Sequence, residues 1–130
     1  MRFGYMKKIL VIDDESDITL LLHLVLEDLG FKVDHYENPL LAIINFKPGL
    51  YDLVILDIKM PNMNGFELHE KIKKIDNKAK ILFLTAGENY YEEYKKLLVN
   101  CKYDKKNNLL FILKPISNEE LVREINRILR

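Results

Sequence analysis

Short apolar runs alternate with longer amphipathic segments along the whole chain. This alternation is typical of an α/β fold, in which helices flank a parallel sheet. Most of the short runs consist of Ile, Leu, Val and Phe, as in buried strands, but one alternates polar and apolar residues like an edge strand. The predicted strands are Lys8 to Ile12, Lys32 to Tyr36 (the alternating one), Leu53 to Leu56, Lys80 to Leu84 and Leu109 to Leu113.

The segments between and after these strands predict amphipathic helices. The first ends before Gly30, a residue typical of helix C-termini. The second begins at Pro39, runs through Phe46 and is followed by Pro48-Gly49. Ser117 and Glu120 match a capping box that begins the last helix. The apolar stripes are Ile18, Leu21, Leu22, Val25, Leu26 and Leu29 in the first helix, Leu68, Ile72 and Ile75 in the third, Tyr90, Tyr94, Leu97 and Leu98 in the next, and Leu121, Ile125, Ile128 and Leu129 in the last.

Length and composition exclude several classes of protein. The chain has 130 residues, so we expect one domain over residues 1–130, with its core at about residues 7–130. Twenty basic side chains offset twenty acidic ones, which argues against direct binding of nucleic acid. No segment approaches the ~20 apolar residues of a membrane span. The single cysteine, Cys101, cannot form an intramolecular disulfide, which favours a reducing cytoplasm.

Polar residues follow four of the predicted strands. In an open parallel sheet the ligand site lies at the carboxyl ends of the strands, so these side chains are expected at one edge. Three carboxylates brought together repel unless a cation neutralises them, and oxygen ligands of this kind suit Mg²⁺. The residues are Asp13 and Asp14 after the first strand, Asp57 after the third, Thr85 after the fourth and Lys114 after the fifth.

Each of these residues also has a purely structural interpretation. Asp14 can cap the first helix, and Asp57 can be a turn residue. Thr85 can satisfy a loop carbonyl, and Lys114 can be a surface lysine. Their joint placement favours function, because phosphoryl transfer to a carboxylate needs a metal, a hydroxyl, a lysine and an acceptor acid.

Four motifs then carry a family resemblance. The sequence reads VIDDES after the first strand, LDIKMPNMNGFE around Asp57, LTAG after the fourth strand and FILKP at the fifth. Together these motifs resemble the receiver domain of two-component response regulators over nearly the whole chain. The resemblance implies a flavodoxin-like five-stranded parallel sheet in the order 2-1-3-4-5, with helices on both faces.

The resemblance also implies a role for each site residue. Asp57 accepts phosphate from a phosphohistidine, and Mg²⁺ is held by Asp13, Asp14, Asp57 and the backbone carbonyl of Lys59. Lys114 pairs with the phosphate, in front of a Lys114-Pro115 bond expected to be cis. Thr85 and Phe111 form the switch pair, and Pro61 and Gly65 belong to the loop that shapes the site.

One segment departs from the family pattern. Receivers usually carry a compact Gly-Ala-Asp-Asp turn before the fifth strand, whereas residues 99–108 here read VNCKYDKKNN. The expected partners are a sensor histidine kinase or phosphotransfer protein and a downstream target. The target surface is expected on the helix over Tyr90 to Leu98, the fifth strand and the last helix, so the atypical segment leaves dimer mode and target open.

Three functions remain to be separated. The leading hypothesis is a signalling receiver that catalyses only its own phosphorylation and dephosphorylation. The second is a pseudo-receiver that keeps the fold without phosphorylation, and the retained acids, Thr85 and Lys114 argue against it. The third is a metal-dependent phosphatase with an aspartyl-phosphate intermediate, which would need an acid where Lys59 stands.

The histidines give no sign of a shared role in the sequence. His23, His35 and His69 lie on separate predicted elements without common spacing, so surface or helix-face positions are expected rather than catalysis. None is predicted to be a phosphorelay histidine.

Overall fold

A computed structural model describes residues 6–85, 105–106, 108–114 and 116–129, with Thr85 described for its backbone alone. Four predicted strands are confirmed with the same bounds, and the remaining one, predicted over Lys80 to Leu84, begins and ends one residue later. The predicted helix over Tyr90 to Leu98 and the bond to Pro115 lie outside the described residues. The elements are β1 Lys8–Ile12, α1 Ser16–Asp28, β2 Lys32–Tyr36, α2 Pro39–Asn45, β3 Leu53–Leu56, α3 Gly65–Ile75, β4 Ile81–Thr85, β5 Leu109–Leu113 and α4 Asn118–Leu129.

The five strands form one parallel sheet in the order β2-β1-β3-β4-β5. This order confirms the one that the family resemblance implies. β2 lies at an edge, as its alternating residues predicted, and its residues Lys32 and His35 are exposed. At the centre of the sheet, Ile12 at the end of β1 lies opposite Leu56 at the end of β3.

Helices cover both faces of the sheet, because each strand sends alternate side chains to opposite faces. One core packs α1 and α4 against the sheet, with Leu22, Leu26 and Ile125 among its buried side chains. The other packs α2 and α3, with Ala42 and Leu68 among its buried side chains. Within the described ranges, no helix combines the length and apolarity needed to cross a membrane.

The predicted apolar stripe of α1 is wrong at two positions. Leu22 and Leu26 are buried, but the exposed fractions of Leu21 and Leu29 are 49% and 50%. Leu21 lies about 100° around the helix from Leu22, outside the arc that faces the sheet. Leu29 is already the C-cap and no longer follows the helical period. Gly30 ends the helix as predicted, with a φ of 96° and its N–H donating to the carbonyl of Glu27 at 3.0 Å.

The start of α3 touches the end of β3. Gly65 N–H donates to the carbonyl of Ile58 at 2.7 Å, and a Cβ on Gly65 would lie 2.2 Å from the Asp57 carbonyl oxygen. Asn64 and Glu67 form a capping box, with the Asn64 side chain accepting from Glu67 N–H at 2.9 Å. The missing side chain of Gly65 therefore lets the helix terminus pack directly on the backbone of Asp57.

Gly65→Ala should destabilise the protein by about 3 kcal/mol, because the new methyl group meets backbone atoms that cannot rotate away. Urea unfolding followed by circular dichroism measures this free energy.

Gly30→Ala is the matched control. Its Cβ would meet nothing within 4 Å, so only its positive φ of 96° is strained, at a cost of about 1 kcal/mol. A Gly65→Ala variant no less stable than Gly30→Ala would contradict the contact.

Candidate functional site

The three acids predicted from the sequence meet at one edge of the sheet. Asp13 and Asp14 follow β1, Asp57 follows β3, and these two strands are neighbours in register. Asp57 N–H continues the pairing by donating to the Ile12 carbonyl at 3.0 Å. Carboxylate oxygens of Asp13, Asp14 and Asp57 all lie within 4.8 Å of one another. The register of β1 and β3 is therefore what assembles the cluster.

The acids differ in burial and in charge. Asp13 and Asp57 are 3% and 7% exposed, whereas Asp14 is exposed. The pKa of Asp13 is raised to about 6. Burial is the largest cause and the neighbouring charge of Asp57 adds to it, while the Glu15 N–H and Lys114 lower the pKa in part. The folded protein thus holds Asp13 ionised at neutral pH at a cost in stability.

Each buried carboxylate is held by a backbone N–H through one oxygen. Glu15 N–H donates to Asp13 Oδ1 at 3.0 Å, and Ile58 N–H donates to Asp57 Oδ1 at 2.8 Å. In the part of the chain that the structure describes, no donor reaches Asp57 Oδ2. The side chain of Asp57 is therefore oriented through one oxygen while the other can act on a ligand.

Lys114 reaches the cluster from β5, the edge strand opposite β2. It follows β5, and its Nζ donates to Asp13 Oδ2 at 3.1 Å, with both side chains largely buried. This contact offsets part of the negative charge of the three acids. The sequence placed Lys114 at this edge, and in the structure it contacts Asp13. The pairing with a phosphate that the family resemblance implies stays a prediction.

The predicted switch residues lie on β4 and β5. Thr85 is the last residue of β4 and pairs with Leu113, while its side chain lies outside the described part of the structure. Phe111 is 3% exposed and packs against Phe83, with ring centroids 5.9 Å apart. Phe111 therefore occupies an inward position here.

The loop between β3 and α3 carries the remaining predicted residues. Lys59 and Pro61 are exposed, whereas Met60 between them and Met63 after them are buried. Asn62 has a φ of 73°, a conformation that asparagine tolerates better than most residues. The two buried methionines thus hold the loop against the core, while Lys59 is exposed to solvent.

The donor set fits a hard divalent cation. Three carboxylates at this separation supply only oxygen ligands, and the single positive charge of Lys114 does not neutralise all of them. Mg²⁺ prefers a few carboxylate oxygens and keeps several waters.

Sequence reasoning missed the backbone donors of Glu15 and Ile58 and the capping box at Asn64. The box has a recognisable pattern, since Asn64 precedes Glu67 by three residues. The two backbone donors have no such pattern, because every non-proline residue carries an N–H.

Comparison with known proteins identifies this arrangement. A model of the response regulator receiver domain matches residues 9–126. The chain belongs to the response regulator receiver family. Receivers of this kind are signalling modules of two-component systems.

Curated relatives include receivers alone and receivers in longer proteins. CpdR of Brucella abortus is 31% identical over 124 residues, which cover 95% of this chain and 98% of CpdR. A CpxR homolog of Haemophilus influenzae is 33% identical, and the match covers 96% of this chain and 51% of that regulator. The chain thus spans about half the length of the transcriptional regulators that it matches.

Solved receivers share the fold and include complexes. The response regulator TrrA of Thermotoga maritima, in complex with Mg²⁺-BeF, is 34% identical with a TM-score of 0.76, covering 95% of this chain and 99% of TrrA. TrrA in complex with the histidine kinase ThkA is 35% identical with the same TM-score, covering 96% of this chain and all of TrrA. Receivers of this family therefore pair with histidine kinases.

Asp13→Asn should stabilise the metal-free receiver by about 1 to 3 kcal/mol at pH 7.5, because it removes a buried charge. The folded pKa of about 6 exceeds the ordinary 3.8, so the folded state binds the extra proton and stability falls as pH rises between these values. Urea unfolding measured from pH 4 to 8 should show that the free energy of unfolding falls less with rising pH in the variant than in the wild type.

Glu70→Gln, at an exposed acid in the middle of α3, is the control and should not show the stabilisation expected of Asp13→Asn. Added Mg²⁺ should stabilise the wild type more than Asp13→Asn. A variant less stable than the wild type at every pH would show that Asp13 is a net stabilising residue.

Proposed function

We propose that this receiver accepts a phosphoryl group on Asp57 and signals by changing its affinity for a partner protein. The observation that carries the proposal is the cluster itself. A buried carboxylate with one oriented oxygen lies within 4.8 Å of two further acids. A lysine reaches the same cluster from β5.

Asp57 acts as the nucleophile. Its Oδ1 is held by Ile58 N–H, which leaves Oδ2 to form the bond to phosphorus. The phosphorus–nitrogen bond of a phosphohistidine breaks as this bond forms, and the departing imidazole keeps the electron pair and takes up a proton. Acetyl phosphate can replace the phosphohistidine, with acetate as the leaving group.

The other residues of the site would neutralise the negative charge of the phosphoryl oxygens. Asp13, Asp14, Asp57 and the Lys59 backbone carbonyl would hold Mg²⁺, which supplies positive charge for the phosphoryl oxygens. TrrA, which was solved with Mg²⁺-BeF, supports this assignment. Lys114, now 3.1 Å from Asp13 Oδ2, supplies a second cation at the same place.

A phosphorylated Asp57 would act on partners through Thr85 and Phe111. Both lie on the strands next to the site, and the Phe111 ring joins the packed core at Phe83. The upstream partner is a histidine kinase or phosphotransfer protein, which the ThkA–TrrA complex supports. The downstream target would bind the surface formed by β5 and α4.

Asp57→Asn should abolish phosphorylation by acetyl phosphate in the presence of Mg²⁺, because an amide is a poor nucleophile and also weakens the metal site. Intact mass spectrometry measures the added phosphate. Labelling of the wild type in the same experiment also separates a phosphorylated receiver from a pseudo-receiver, because a wild-type pseudo-receiver would take up no phosphate.

Asp52→Asn is the matched control, since Asp52 lies at the opposite end of β3 and contacts Lys8 N–H and Lys7. It should be labelled as fast as the wild type. Equal labelling of Asp57→Asn and the wild type would overturn the acceptor assignment.

Lys59→Asn should shorten the lifetime of the phosphorylated state. Lys59 is exposed two residues beyond Asp57, and its side chain can donate hydrogen bonds but cannot accept one from an attacking water. A shorter amide can orient that water, so loss of phosphate should accelerate several-fold. The decay is followed by mass spectrometry in excess Mg²⁺.

Lys71→Asn, an exposed lysine on α3, serves as the control and should decay like the wild type. Mg²⁺ affinity should change little in Lys59→Asn, because the proposed ligand there is the backbone carbonyl. Identical decay of Lys59→Asn and the wild type would remove Lys59 from the mechanism.

A further inference from the structure

Two histidines that are distant in the sequence meet at the surface, one on α1 and one on β2, the edge strand that pairs with β1. His23 on α1 and His35 on β2 place their Nδ1 atoms 2.9 Å apart. Their rings stand nearly perpendicular, at 85°, with centroids 4.9 Å apart. The side chain of His23 is 26% exposed and His35 is exposed, so the pair is open to solvent.

Glu27 orients one of the two rings. It lies one helical turn beyond His23, and its carboxylate contacts His23 Nε2. A carboxylate can only accept, so Nε2 carries the hydrogen and the Nδ1 of a neutral His23 keeps its lone pair. Metal-ligating histidines are commonly oriented in this way, by a carboxylate on the ring nitrogen that does not bind the ion.

The separation of the two nitrogens suits a shared metal ion. An ion about 2.05 Å from each of two nitrogens that lie 2.9 Å apart would see them at roughly 90°. This is the angle between neighbouring ligands in square-planar and octahedral complexes, which Ni²⁺ and Cu²⁺ adopt with nitrogen ligands.

We propose that His23 and His35 form a surface site for a divalent late transition-metal ion such as Ni²⁺, with Glu27 positioning His23 and water completing the coordination. The site differs in chemistry from the acid cluster, since imidazole nitrogen favours these ions and carboxylate oxygen favours Mg²⁺. A bound ion joins α1 to the edge strand. It stabilises the folded state, because the two ligands are twelve residues apart and meet only in the fold.

The test is calorimetric titration of the full chain with NiCl₂, in excess Mg²⁺ to occupy the acid cluster. The wild type should bind one Ni²⁺ saturably. His35→Asn should lose affinity by more than the roughly tenfold loss expected for Glu27→Gln, which removes only an orienting contact. His69→Gln is the matched control, because it removes the third histidine, and Cys101→Ser removes the thiol as a competing ligand; both should bind like the wild type.

Thermal unfolding gives a second measurement. Ni²⁺ should raise the melting temperature of the wild type and of His69→Gln, and the increase should vanish in His35→Asn. If His35→Asn fails to fold, as judged by circular dichroism, His23→Gln takes its place. Absence of saturable binding to the wild type would show that the pair only shares a hydrogen bond, and equal affinity of wild type and His35→Asn would place the ion elsewhere. Either result overturns the proposal.

Discussion

The pairing of β1 with β3 is the interaction on which the site depends. With Ile12 opposite Leu56, the residues that follow these strands leave the sheet side by side, and their carboxylates come within 4.8 Å of one another. A shift of one residue in this register would turn Asp57 to the opposite face. The register is held on both sides by buried aliphatic cores, so the hydrophobic packing of the sheet also positions the charged cluster.

Bringing these carboxylates together costs free energy, which the hydrophobic packing of the sheet must offset. Desolvation raises the pKa of Asp13, and Asp57 adds repulsion. Lys114 and the N–H groups of Glu15 and Ile58 offset part of this cost through hydrogen bonds. The protein thus holds unfavourable electrostatics at the place where a cation would relieve it, as is common at functional sites.

The backbone sets how closely the parts of the site approach. At Gly65 the terminus of α3 packs against the carbonyl of Asp57 at a distance that leaves no room for a side chain. The same contact closes the loop that carries Lys59, through the hydrogen bond from Gly65 to Ile58. One glycine therefore couples the position of Asp57 to the shape of the loop beside it.

Residue patterns by themselves determined the strands, the edge position of β2 and the edge at which Asp13, Asp57 and Lys114 meet. These features follow from local periodicity and from the rule that parallel strands end on the same side, and neither requires knowledge of distant contacts. The strand order came from the family motifs rather than from periodicity.

Tertiary structure alone decided which side chains touch. The exposure of Leu21, the pairing of Lys114 with Asp13 and the meeting of His23 with His35 appear in no local pattern. Each depends on the angle at which one element packs on another, and that angle is set by many small contacts between residues far apart in the chain. The raised pKa of Asp13 has the same origin, because burial and neighbouring charge exist only once the sheet and its loops are assembled.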